Sequence, residues 1–240
     1  MMFNRSSTGW RTARRMARAA RWDRPLTTPW QRFAAWMNMI FVDHGIFRLA
    51  YLNLHKVTDK LWRSAQPAPG QIAGLAAQGV RTIVTLRGGR EFGSWPLEKE
   101  ACEAHGVRLV EFLARSREAP SPEMVREARA LFERLEYPAL IHCKSGADRA
   151  GLVAALYLIL HEGRSASEAL DQLAARYGHW HWSKTGILDA FLIAYRDEGE
   201  ARGKSLIEWV ESDYDPEALK KSFRTHAWSN FVVDRILRRE

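Results

Sequence analysis

Residues 139–151 read ALIHCKSGADRAG, and the fold follows from how that stretch divides. Ala139–Cys143 is a short run interrupted only by His142, the pattern of a strand buried on both faces of a parallel sheet. A loop containing Gly146 follows, and a helix begins near Arg149. Its Leu152–His161 segment, LVAALYLILH, is apolar on every side, as a helix inside a core is. A strand–loop–helix of this kind turns its backbone N–H groups into the loop, and the helix N-terminus adds its positive dipole end. The result is a cradle for a tetrahedral anion. A thiolate at Cys143 would be stabilised by those N–H groups and by Arg149, and exposure at the loop mouth would make it a nucleophile. Arg149, six residues on, has the reach to grip two phosphate oxygens side by side.

Working outward, short apolar runs alternate with helical patterns from about residue 56. Lys60–Ala65, Thr82–Leu86 and Val107–Phe112 read as further strands, and Gly70–Gln78 and Pro96–His105 as helices between them. Ser121-Pro122 is an N-cap followed by proline at the first helical position, opening a helix to about Glu136. The spacing predicts an α/β fold with a mainly parallel central sheet flanked by helices. Ahead of it stands an N-terminal helical arm. Three parts are expected: a basic, Arg/Trp-rich arm over 1–43, partly helical or disordered; the main domain over 44–222; and a C-terminal helical extension over 223–240.

The 240 residues are 46% hydrophobic and 27% charged, a balance that excludes a disordered chain, a fibre or a polytopic membrane protein. Two cysteines cannot form a disulfide framework and point to a reducing compartment. Cys102 sits in a helical pattern and reads as a packed thiol. The net charge is +8, and its placement matters more than its size. Residues 1–38 hold eight arginines, no lysine and the single acid Asp23, so the body of the protein is close to neutral. Arginine interleaved with Trp10, Trp22, Trp30 and Trp36 fits a segment lying on an anionic membrane surface, as it also fits a solvated arm or a transit peptide. No secretory signal is evident. The apolar stretch Phe33–Val42 is too short to span a bilayer and reads as a helix packed on the core or a one-sided lipid contact. A cytoplasmic location, peripheral on the inner face of the membrane through residues 1–42, is the expectation. Nucleic-acid binding by the arm is disfavoured as a main role.

The His142–Gly151 segment resembles the signature loop of the cysteine-dependent protein tyrosine and dual-specificity phosphatases, His-Cys-x5-Arg. His142, Cys143, Gly146, Arg149 and Gly151 stand where that pattern requires them. Trp62–Pro67 is similar to the RSAQP entry segment of the bacterial dual-specificity-like group. Thr85-Leu86-Arg87, Lys184–Asp189 and Tyr214–Leu219 are also similar to segments of that group, and the resemblance covers about residues 44–222. It implies a phosphatase-like fold and a two-step hydrolysis of a phosphorylated protein or a lipid phosphate. Cys143 would form a cysteinyl-phosphate that water then cleaves. Arg149 would hold the phosphate, and the loop Lys144, Ser145, Gly146, Ala147, Ala150 and Gly151 would surround it. His142 would support the cysteine loop, and Arg63 and Arg87, at strand ends, are further candidates to reach it. Neither a metal nor a cofactor is implied, because Arg149, the N–H groups and the helix dipole handle the charge.

Two departures stand out. Ala150 occupies a position where relatives often carry Ser or Thr. The segment Glu111–Glu123 contains no aspartate, so the proton for the leaving group would come from Glu118 or, inside the loop, from Asp148, with geometry favouring the latter. Gly178-His179-Trp180-His181-Trp182 reads as a wall over the pocket, and its two histidines lack the partners of a metal site. The alternative functions are a phosphatase of a membrane lipid phosphate (phosphoinositide, phosphatidylglycerophosphate or lipid A) and a catalytically weak phosphate-binding module.

Overall fold

The computed structural model describes residues 6–223 of the chain. Residues 224–240, most of the expected C-terminal extension, and residues 1–5 of the arm lie outside the described residues. Contacts divide the chain into two compact units. One runs to Leu113 and takes back Glu136–Ser145; the other comprises Ala114–Leu135 and the chain from Gly146 onward.

The first unit carries the sheet: β1 (His55–Lys56), β2 (Leu61–Ala65), β3 (Thr82–Thr85), β4 (Arg108–Glu111) and β5 (Ala139–Cys143), in the spatial order β1-β2-β5-β3-β4. Every pairing is parallel except that of the two-residue edge strand β1 with β2. The last strand in sequence therefore lies in the middle of the sheet. Its five residues are all buried, as are those of β2 and β3, which is why these strands read as continuous rather than alternating runs. Leu61–Ala65 faces Ala139–Cys143 residue for residue, so Ala65 stands opposite Cys143. The edge strand β1 is absent from the sequence reading because two residues carry no periodicity.

Among the described residues the α-helices of this unit are α1 (Ser6–Trp22), α2 (Pro29–Met37), α3 (Gly45–Ala50), α4 (Pro69–Ala77) and α5 (Ser94–Ala104). Ile72 and Leu75 of α4, Ala101 and Cys102 of α5, and Trp62, Ile83 and Leu140 of the sheet form one core cluster. Cys102 is thus a packed thiol, and burial pushes it up, with Glu98 and Glu103 adding to the effect. Both cysteines are free. The apolar stretch 33–42 continues α2 through a wider turn over Asn38–Val42. It splits by face: Ala35 and Met39 pack with Trp22, Leu26, Ala68 and Leu97, while Phe33, Phe41 and Val42 are exposed. Helix α2 approaches Gly93 so closely that a Cβ there would lie 2.3 Å from the Ala35 carbonyl oxygen, a position only glycine fills. Among the described residues no helix is long and apolar enough to cross a membrane.

The second unit is helical: α6 (Pro122–Arg134), α7 (Asp148–Leu160), α8 (Ala166–Leu170), α9 (Ile187–Ala194) and α10 (Leu206–Ser212). Ser121 caps α6, its hydroxyl accepting from the Met124 N–H at 3.2 Å, with Pro122 at the first helical position. Helix α7 is buried without a break from Ala150 to Leu158, and Phe132 of α6 packs edge-on against its Tyr157 at 5.3 Å. Phe191, Trp209 and Tyr214 pack into an aromatic cluster of tilted and edge-on rings.

Candidate active site

Cys143 is the last residue of β5 and is 2% exposed, so the exposure at the loop mouth expected from the sequence is not found: the strand's burial extends to its last residue. The chain then turns through Gly146, whose φ of +76° is a left-handed conformation that favours glycine. Helix α7 starts at Asp148, which puts Arg149, half-buried, in its first turn with Ala150 and Gly151 buried beside it. The Gly151 N–H donates to the Ala147 carbonyl at 3.0 Å, the first intrahelical bond of that turn.

Side chains of the first unit hold the cysteine end of this loop. His142 Nε2 meets Glu98 Oε1 at 2.6 Å, both side chains fully buried. The other Glu98 oxygen accepts from the Gln66 amide at 2.6 Å, and Gln66 Oε1 accepts from Arg87. Arg87 in turn grips both oxygens of Asp43, at 2.6 and 2.7 Å. Asp43 is fully buried and also receives Arg48 at 3.0 Å, the Ser94 hydroxyl at 2.7 Å and Lys144 Nζ at 3.3 Å. Burial alone would raise the Asp43 carboxyl; the Arg87 hydrogen bonds and the charges of Arg87 and Arg48 outweigh it and hold the group well below the usual carboxylate range. Asn53 adds a direct bond to the loop, its amide donating to the Ser145 carbonyl at 3.0 Å.

Side chains of the second unit hold the helix end. His179 is 1% exposed and lies between two carboxylates: Nδ1 is 2.7 Å from Asp148 Oδ1 and Nε2 is 2.6 Å from Asp189 Oδ2. Burial disfavours its charged form, yet the two acceptors reverse that and raise it to about 9. At neutral pH both ring nitrogens therefore donate. Asp148 moves the other way: burial opposes its ionisation, while the hydrogen bonds from His179 and Thr185 and the charges of His179 and Arg149 hold it below its ordinary value.

The candidate residues thus divide. Arg63 is buried within β2, opposite Ile141 of β5, and Arg87 is spent on Asp43 and Gln66. Lys144 stands over the Phe92 ring at 5.8 Å as well as on Asp43. Ser145 is exposed and Ala147 buried. Glu118 lies in a bend before α6, exposed and paired with Arg115 at 2.9 Å. In the run 178–182 the two faces differ: His179 is buried, whereas Trp180 and Trp182 are exposed with their rings 4.9 Å apart. Sequence reasoning passed over Asp43, Asn53, Gln66, Glu98 and Asp189. Three signals touch them: Asp43 closes the apolar run Phe33–Val42, Gln66 lies within the family-like segment Trp62–Pro67, and Asp189 ends the family-like segment Lys184–Asp189.

A mainly parallel sheet whose central strand ends at the cysteine of a His-Cys-x5-Arg segment, with a buried helix that carries the arginine in its first turn, defines the class of cysteine-dependent dual-specificity and tyrosine phosphatases. The chain belongs to the family described as DSP-PTPase phosphatase fused to NAD+ kinase, whose model matches residues 51–183, more than half of the sequence. It is 30% identical over 125 residues to the dual specificity protein phosphatase TpbA of Pseudomonas aeruginosa strain UCBPP-PA14, covering 51% of this chain and 53% of that protein. The figures for TpbA of strain PAO1 are the same. The chain spans about half the length of these curated relatives. A crystal structure of a cysteine-to-serine variant of P. aeruginosa TpbA in complex with phosphotyrosine superposes with a TM-score of 0.50 at 24% identity, over 66% of this chain and 88% of that one. That likeness concerns the fold.

Proposed function

We propose that the protein is a cysteine-dependent phosphomonoester hydrolase acting on phosphorylated protein, phosphotyrosine included. The observation that carries this reading is Cys143 at the end of the central parallel strand with Arg149 six residues on in the first turn of α7. The Cys143 thiolate attacks phosphorus, the P–O ester bond breaks, and the leaving oxygen takes a proton. Water then attacks the cysteinyl-phosphate, releasing inorganic phosphate and returning the thiolate. Arg149 and the loop N–H groups neutralise the equatorial oxygens in both steps, where charge stabilisation is worth most. Of the two candidate proton donors we take Glu118, because the Asp148 carboxylate is already engaged by His179 at 2.7 Å and by Thr185, whereas Glu118 is exposed and paired with the exposed Arg115. His142, fixed by Glu98, supports the loop. Family membership favours the hydrolase over a binding module.

The test compares wild type with Cys143→Ser and Arg149→Ala on p-nitrophenyl phosphate, a phosphotyrosine peptide and phosphatidylglycerophosphate. Wild type hydrolyses the peptide, Cys143→Ser loses turnover while still binding it, and Arg149→Ala loses both. A wild type inert towards all three, or a serine variant that still turns over, overturns the reading. Turnover of the lipid alone moves the substrate class to a membrane phosphate.

Peripheral contact with the inner face of an anionic membrane is part of the same proposal. Trp30, Phe41 and Phe47 are 73%, 66% and 73% exposed, with Phe33, Val42, Ile46 and Tyr51 exposed among them, a concentration of apolar side chains that a purely solvated surface rarely shows. Helix α1 carries no acid in its first turn, and its Arg21 lines the same groove as Trp30, Phe33 and Phe41. Apolar rings beside arginines suit an anionic interface. Co-sedimentation with phosphatidylglycerol vesicles but not with phosphatidylcholine vesicles, lost in Phe41→Ser/Phe47→Ser, supports it; no sedimentation with either overturns it.

A further inference from the structure

The family match begins at residue 51, yet part of the machinery that holds the signature loop stands upstream of it. We infer that Asp43 and Asn53 are positioning residues that clamp Lys144 and Ser145, the two residues after the proposed nucleophile, and so set both the geometry and the net charge of the phosphate loop. The inference rests on the phosphatase reading and deepens it by naming what fixes the loop's selectivity for charge.

Four observations support the clamp. Asp43 is a fully buried carboxylate facing three cations, Arg48, Arg87 and Lys144. A buried charge pair adds little net stability even though breaking it is costly, so stability alone does not explain why a third and half-exposed cation, Lys144, joins the cluster. Of the three cations, Arg48 and Arg87 are buried or nearly so, and Lys144 is the one with 40% of its side chain exposed. It alone faces both the carboxylate and solvent. Asn53 makes an independent attachment one residue further along, its amide on the Ser145 carbonyl and its Oδ1 near Tyr51 Oη at 3.3 Å and His55 Nε2 at 2.9 Å. Finally, the segment that carries both residues is held in costly conformations: His44 and Asn53 are the two non-glycine residues with positive φ, at 57° and 51°, among the described residues. Left-handed backbone at such positions persists only where its surroundings fix it, and it gathers at functional sites.

The chemistry is specific. With Asp43 in place, one of the loop's two cations, Lys144, is tethered to a counter-ion. Arg149 is then left as the principal cation for the phosphate, and a substrate is chosen by fit more than by total charge. Removing the carboxylate frees Lys144, so a phosphate is held more tightly and in a less productive position; a displacement of about 1 Å in a reacting group costs roughly a hundredfold in rate.

Asp43→Asn is therefore expected to lower kcat on p-nitrophenyl phosphate tenfold or more while inorganic phosphate binds severalfold more tightly. In a Lys144→Met background the same substitution changes kcat less than threefold. A merely structural role would lower kcat equally in both backgrounds and leave phosphate affinity unchanged; either result overturns the inference. Should Asp43→Asn fail to fold, Asn53→Gly, which tolerates the positive φ, is expected to lower kcat at least fivefold at unchanged melting temperature, and a change under twofold overturns the inference. Calorimetric titration with inorganic phosphate separates the two proposals. A wild type without turnover refutes the hydrolase, whereas the affinity difference between wild type and Asp43→Asn still decides the clamp.

Discussion

Lys144 and Asp148 stand four residues apart in one loop, and each is held by a buried charge cluster of opposite make-up. Lys144 joins two arginines around one carboxylate, Asp43. Asp148 joins a second carboxylate, Asp189, around one cation, His179. The difference that matters is which group titrates. The Asp43 cluster gathers guanidinium and ammonium groups around a carboxyl held below the usual range, so that carboxylate keeps its charge through neutral pH. The His179 cluster depends on an imidazolium that loses its proton at about 9. One end of the loop is set permanently and the other is set by pH.

The largest expected difference between the two clusters is in stability. Asp43→Asn leaves Arg48 and Arg87 buried without a counter-ion, which costs about 3–5 kcal/mol. Because the Asp43 carboxyl is depressed, its contribution is fully present above the unfolded value near 4 and is lost only as pH falls through a much lower folded value. Urea unfolding should therefore give the same deficit at pH 6 and at pH 9.5. A deficit that shrinks at the higher pH would mean that the cluster does titrate.

His179→Asn is the converse. A histidine raised from 6.5 to about 9 contributes about 3 kcal/mol at roughly 1.4 kcal/mol per pH unit. That stability is whole below pH 6.5 and disappears as pH rises through about 9. The gap between wild type and His179→Asn, read by the same unfolding experiment, should narrow by about this amount between pH 6 and pH 9.5. A gap that stays constant would place a neutral imidazole between the two aspartates.

These two clusters also show what the sequence held and what it hid. Ala139–Cys143 and α7 were legible because burial on all sides leaves an uninterrupted apolar run, and Ser121-Pro122 because a cap is a local event. The clusters are not local. Asp148 and His179 lie 31 residues apart, and Asp43 lies further still from Lys144. Periodicity tells which face of an element is buried but not which distant side chain it meets. The run His179–Trp182 therefore read as one wall, although His179 points into the interior and its tryptophans face outward. The split of Phe33–Val42 into a packed stripe and an exposed one was hidden for the same reason.

The state of Asp148 has a kinetic consequence. With Asp148 engaged by His179 and Thr185, the proposed proton donor is Glu118, and the need for a donor grows as the leaving group becomes more basic. Glu118→Gln should lower kcat about tenfold on phenyl phosphate, equivalent to about 1.4 kcal/mol, and less than twofold on p-nitrophenyl phosphate. Asp148→Asn should show no such dependence on the leaving group. If the two variants exchange behaviour, the proton comes from the His179 cluster and that end of the loop does chemistry as well as positioning.

A third charge cluster, on the surface, separates burial from composition. Arg90 sits between Asp23, at 2.9 Å, and Glu111, so it has the same composition as the His179 cluster, one cation between two carboxylates. It differs in solvent: all three side chains are more than a third exposed. Water screens both carboxylates whether or not the arginine is present, and exposed pairs are worth between zero and about 1 kcal/mol. Arg90→Ala should therefore cost less than about 1 kcal/mol in urea unfolding and fade further in 0.5 M salt, whereas the deficit of His179→Asn at pH 6 should change little with salt. Equal costs for the two variants would mean that composition alone, and not burial, gives the loop's charge clusters their grip.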